Sequence, residues 1–271
     1  MPAHSSDAAA SSTEVLESLP APEGAPARRD RSRRGARRTD WRLGGRSVRR
    51  WREWVLAAAL AGLGVGVLAA TAVTVLWPSA AATAVASGLL WLGMLAPVVF
   101  AFTRSRPVGL VRFRPVDLLF GVTLGAMLRL VQGRLESAGG DPAFPQFTRI
   151  GGQLPDGWLF SDVVAPVLVA PTVEEFFFRG VILVALYTVL RRPCGAVIAG
   201  VAAVLFSSGL FVLVHGLVGD LALDQVVSVG LLGLVCGALV ILTGRIWGAV
   251  LTHITFNAVW VALAAVGTAL S

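Results

Sequence analysis

After residue 53 the chain passes through seven apolar stretches, at 54–77, 80–103, 116–133, 159–190, 195–218, 223–243 and 246–269. A helix needs about 20 mostly apolar residues to cross the hydrocarbon core of a bilayer. No water is available there for backbone N–H and C=O groups, so such stretches must satisfy them internally, as helices do. The charge distribution agrees. Of 39 charged residues, 19 lie in the first 53 positions, which leaves 20 for the remaining 218. A soluble domain carries about 25 % charged residues, whereas this chain carries 14 %. The pattern excludes a water-soluble globular protein. It predicts an all-α, polytopic transmembrane helix bundle of about seven spans behind a basic tail.

Residues 1–53 are rich in Ala, Ser, Pro, Gly and Arg. They hold too little apolar surface to offset their ordering entropy, which predicts a disordered tail. The next parts are expected to be transmembrane helices over 54–133, an extracytoplasmic loop over 134–158, and a helical core over 159–270. Pro166 and Pro171 predict a kink in the fourth span. All 23 basic residues are arginines, and the net charge of +7 resides largely in the tail. That placement suits anionic lipids next to the membrane and gives no reason to expect a nucleic-acid partner. The alanine- and arginine-rich, lysine-free composition points to a bacterial source. The stretches expected on one side hold 19 arginines and those on the other hold two. By the positive-inside rule the N-terminus is cytoplasmic, in the plasma membrane. Cys194 and Cys236 are too few and too far apart for a disulfide framework.

Ionisable side chains within spans are costly and are functional candidates by default. The spans hold two histidines, His215 and His253, and one adjacent acidic pair, Glu174-Glu175. Glu175 and Arg179 stand four apart, so they share a helix face and can pair. Glu174 points about 100° away around the helix, which leaves it for a polar cavity. His253 and Asn257 also stand four apart on one face, where both can donate to a developing oxyanion. Glu174, His215, His253 and Asn257 are therefore the candidate catalytic residues, with Glu175 and Arg179 in support. Glu174, His215 and His253 also form a legitimate zinc set, so a divalent metal is left open. His215 lies 23 residues past Arg192, about 35 Å along a straight helix, too near one face to meet Glu174. A late start over 193–199, a tilt, or a break at Ser207-Ser208-Gly209 is needed.

Three short patterns follow in order: Glu174-Glu175-x-x-x-Arg179, Phe211-x-x-x-His215 and His253-x-x-x-Asn257. In these the chain resembles the CPBP family of intramembrane proteases, which includes the CAAX prenyl endopeptidases and bacterial bacteriocin-processing and Abi-type proteins. Arg179-Gly180 and the turn Thr243-Gly244-Arg245-Ile246-Trp247 agree with that resemblance, which covers about 155–270. It implies an intramembrane endopeptidase, with 159–270 as its protease core, acting on membrane-associated proteins or peptides. It implies water activated by Glu174 with His215, an oxyanion held by His253 and Asn257, and Glu175 and Arg179 tuning Glu174. The mechanism is either glutamate-type without metal or that of a metalloprotease. The alternatives are a catalytically silent membrane-binding or immunity protein of the same fold and a small proton-coupled transporter.

Overall fold

The computed structural model describes residues 39–43, 48, 50–139, 144–219 and 221–271. The predicted disordered tail falls largely on 1–38, 44–47 and 49, outside the described residues. Three side chains in the described part of 39–53 are packed, which differs from the expectation of a disordered tail to residue 53. Trp41, Val48 and Trp51 are fully buried. Trp41 donates its indole N–H to Gly244 O at 3.0 Å, and Trp51 donates to Ala101 O at 2.8 Å. Each indole couples a large apolar ring to one donor, so it packs against a helix end; Gly244 O accepts Trp41, and Ala101 O accepts Trp51 in addition to the Ser105 N–H.

The secondary structure among the described residues is helical, with a single isolated β-bridge between Ile150 and Gln153. Six helices are long and apolar enough to cross a membrane. We name them α1 (Glu53–Leu76), α2 (Ala80–Arg104), α3 (Pro115–Gly139), α4 (Leu159–Val218), α5 (Leu223–Thr243) and α6 (Trp247–Leu270). The fourth and fifth apolar stretches of the sequence are the two arms of α4. They part at Gly195, whose φ of 77° and ψ of 169° are not helical. Glycine adopts that backbone without a Cβ clash, and Pro193 just before it has no N–H to continue the ladder. This break supplies the irregularity that His215 required. Residues 192–198 are exposed before packing resumes at Ala199, and Ser207-Ser208-Gly209 stays helical. The chain also remains helical through Pro166 and Pro171, where a kink was expected.

Helix α3 extends six residues beyond the predicted end of its span. A buried polar cluster supports the extra turns. Arg129 donates to Gln132 at 2.9 Å and to Glu136 at 3.0 Å, and Gln132 donates to Glu136 at 2.7 Å. Helix α1 packs on α2, α3 on α6, and α4 on α5. Two of these contacts require bare glycines. A Cβ on Gly93 would lie 2.6 Å from Gly62 O, and one on Gly125 would lie 2.6 Å from Thr252 O. Such approaches replace hydrophobic drive with close backbone packing, as in membrane helices generally.

The turn between α5 and α6 is a junction. Gly244 closes α5 in the left-handed region at φ 72°, the usual helix terminator. Arg245 reaches Asp117 at 2.6 Å, and Asp117 is fully buried at the start of α3. Arg42 donates to Ile241 O and Leu242 O, and Trp247 donates to Val111 O at 2.7 Å. The orphan carbonyls at the end of α5 are thus satisfied by Arg42, and α3 is clamped to the turn between α5 and α6 by an ion pair.

Candidate active site

Glu174 and Glu175 end a short α-helical segment, Ala170–Glu175, between two π-helical stretches, Leu159–Val169 and Phe176–Leu183. Such wide turns are rare and concentrate at functional sites. Proline chemistry accounts for part of this. Ala170 N–H bonds to Ala165 O, five residues back. The same register would pair Pro166 O with residue 171, but Pro171 has no N–H. Asn257 Nδ2 instead donates to Pro166 O at 2.7 Å. Asn257 therefore repairs a carbonyl that the sequence of α4 orphans, and it ties α6 to α4 one helical turn from His253.

Glu174 Oε2 lies 3.9 Å from His215 Nε2 and 3.9 Å from His253 Nε2. One carboxylate on the first arm of α4 thus faces two imidazoles, one on the second arm and one on α6. A gap of this size is too long for a direct hydrogen bond, yet a single water can contact both sides. The other nitrogen of each ring is engaged. His215 Nδ1 donates to Phe211 O at 2.9 Å, and His253 Nδ1 donates to Glu175 Oε1 at 3.0 Å. A carbonyl or carboxylate oxygen can only accept, so both protons sit on Nδ1 in the neutral rings. Each Nε2 then turns a lone pair towards Glu174. His215 and Glu174 are partly accessible, with side-chain exposures of 30 % and 13 %, while His253 is buried.

Glu175 and Arg179 are fully buried and paired, Nη1 to Oε1, at 3.1 Å. Arg179 Nη2 donates to Gly233 O at 3.1 Å, and its guanidinium lies 4.4 Å from the Phe211 ring centre. Phe211 also lies against His215, ring centres 4.3 Å apart and tilted by 54°, and meets His253 edge-on at 5.7 Å. The pair is therefore a frame, in which Glu175 orients His253 and Arg179 neutralises Glu175. Glu175 Oε2 and Arg179 Nε have no hydrogen-bond partner among the described residues. Gly233 packs closely here: a Cβ there would lie 3.2 Å from Ser208 Cβ and 3.3 Å from Arg179 Nη2, so those neighbours would have to shift by a few tenths of an ångström.

The donor set is too widely spaced for a tetrahedral zinc ion. Two ligand atoms held tetrahedrally at about 2.1 Å from the ion are roughly 3.4 Å apart. Glu174 Oε2 stands 3.9 Å from each Nε2. Among the described residues no group of three or more His, Cys, Asp or Glu is placed to hold a metal ion.

All six residues singled out in the sequence lie in this one region. Glu174, His215 and His253 converge on each other, Glu175 and Arg179 pair behind them, and Asn257 is turned to Pro166 O. Sequence reasoning missed Gly233, for which the sequence carries no signal, and the tie from Asn257 to Pro166, which the proline pair could have suggested. Residues 156–259 match the family model described as type II CAAX prenyl endopeptidase, Rce1-like. No curated protein and no solved structure matches the chain. The matched stretch holds all three motifs and is consistent with a CPBP family intramembrane protease. That family model covers less than half of the chain, whose described residues include six helices long and apolar enough to cross a membrane.

Proposed function

We propose that this protein hydrolyses peptide bonds of membrane-associated proteins or peptides at Glu174. The observation that carries the reading is the placement of one carboxylate oxygen 3.9 Å from two histidine Nε2 atoms on separate helices. A water between Glu174 and His215 loses a proton to the carboxylate as its oxygen attacks the scissile carbonyl carbon. The carbonyl oxygen becomes an oxyanion. Asn257 keeps one amide N–H beyond the one given to Pro166, and His253 can donate once its Nε2 is protonated. Glu174 returns the proton to the departing amine nitrogen as the C–N bond breaks. Glu175 and Arg179 hold His253 in its orientation.

We read the chemistry as metal-free, because the carboxylate–imidazole spacing suits a water better than an ion. The N-terminus is proposed to be cytoplasmic, with the arginine-rich tail against anionic lipids. The test is cleavage of membrane-tethered reporter proteins by the purified full chain in proteoliposomes. The wild type should cut, while Glu174→Ala and His215→Ala should not. Equal activity in Glu174→Ala would overturn Glu174 as the catalytic base, and absence of cutting by the wild type would favour a non-catalytic role for the same fold.

A further inference from the structure

Beside the site lies a cleft of about 280 Å³ between α3, α5 and α6, with Pro166 and Asn257 in its wall. Its polar side is built by Arg129, Gln132 and Gln225, and its apolar side includes Val229, Trp260 and Val261. Arg129 and Gln132 stand on α3, outside the stretch that matches the family model. Polar groups at membrane depth are costly and mark substrate or water pathways. The cluster is well ordered. Arg129 is 5 % exposed, is held by Gln132 and Glu136, and lies 5.2 Å over the Phe256 ring. Its Nε has no hydrogen-bond partner among the described residues.

We infer that this cleft is the specificity subsite of the protease, receiving one apolar side chain of the peptide next to the scissile bond. The inference rests on the proposed peptidase reading and extends it to substrate selection. Asn257 lies one helical turn from His253, and side chains four apart on a helix are about 5–6 Å apart. An extended peptide advances about 3.3 Å per residue, so a residue one or two positions from the scissile bond reaches the cleft. The volume lies just below the range of drug-sized ligand sites, which suits one side chain. Val229, Trp260 and Val261 give that side chain an apolar wall. Gln225 accepts from Ala222 N–H at 3.1 Å through its carbonyl oxygen and keeps its amide N–H groups for the peptide backbone, while Gln132, bonded to Arg129 and Glu136, keeps one amide N–H.

The test uses the full chain in proteoliposomes and single-pass reporters. The residues flanking the cleavage point are varied from Ala through Leu to Trp, and products are identified by mass spectrometry. Val229→Phe and Val261→Phe narrow the cleft, each serving as a check on the folding of the other. Cutting of reporters with Leu or larger residues should fall about 10-fold or more, while reporters with Ala keep near-wild-type rates. Trp260→Leu widens the cleft and should shift preference towards larger residues. Glu174-dependent cleavage with an unshifted profile in all three variants overturns the subsite and leaves the peptidase reading standing. Absence of Glu174-dependent cleavage across the whole set overturns the peptidase reading and, with it, the subsite.

Discussion

Replacing Arg179 by Met tests whether the buried ion pair frames the site. Arg179 and Glu175 are both fully buried, so removing the guanidinium strands a carboxylate away from water. Breaking such a pair by removing one partner costs about 3–5 kcal/mol. The substitution deletes a charged hydrogen bond to Glu175, a second bond to Gly233 O and a ring contact with Phe211. Glu175 keeps one donor, His253 Nδ1 at 3.0 Å. That remaining bond places the expected cost near the lower end, about 3 kcal/mol. Glu175→Leu alone should cost a similar amount, because it strands the arginine. The double variant removes both charges and should cost clearly less than the sum of the two singles. The assay is reversible unfolding in mixed micelles, with a double-mutant cycle. An Arg179→Met cost below about 1 kcal/mol, or a strictly additive double variant, would refute the reasoning.

Four further outcomes follow from the same structure. Asn257→Ala strands Pro166 O and should destabilise the protein by about 1–3 kcal/mol in the same unfolding assay; an unchanged midpoint would show that the carbonyl finds another donor. Asp117→Ala leaves Arg245 without its buried partner and should cost about 3 kcal/mol or more, read as a lowered unfolding midpoint that Arg245→Met in the same chain partly restores. Burial acts to raise the Asp40 pKa, but hydrogen bonds and charge from Arg42 outweigh it and hold the carboxyl below its ordinary value. The contribution of Asp40 is therefore complete above the ordinary carboxylate pKa and is lost as pH falls through the lowered one. Acid titration of the fluorescence difference between wild type and Trp41→Phe should show that loss, and Asp40→Asn should remove its pH dependence. Exhaustive dialysis against a chelator should leave cleavage intact, and activity that is lost and then restored by zinc would contradict a metal-free mechanism.

The candidate site was legible in the sequence to an unusual degree because the membrane suppresses alternatives. With nine acids and two histidines after residue 53, any ionisable group inside a long apolar stretch stands out against a cost of several kcal/mol. The Glu175–Arg179 pairing followed from helical spacing alone, since an i, i+4 pair shares a face. The role of Asn257 was harder to see. Its spacing from His253 placed it on the right face, yet its partner, Pro166 O, is a backbone atom on another helix. Gly233 lay beyond reach for the same reason. Its importance is a contact with Arg179 across 54 residues of chain, and nothing local to Gly233 encodes it.

The sequence by itself determined the class of solvent, the helical fold and the identity of the few residues able to do acid–base chemistry. These follow from local quantities, namely the length of apolar runs, the absence of charge and the period of the helix. Tertiary structure decided where α4 breaks, how the tail packs and which donors face one another. Hydropathy places the fourth and fifth stretches on either side of residues 191–194, but the backbone turns at Gly195. Composition assigns Trp41 and Trp51 to a disordered tail, but the backbone carbonyls of Gly244 and Ala101 accept their indoles. The meeting of Glu174 with His215 and His253 depends on three helical segments arriving together, and that arrangement is set by bare glycines, orphaned carbonyls and buried ion pairs between helices. Such contacts act between residues far apart in the chain, so only the folded molecule displays them.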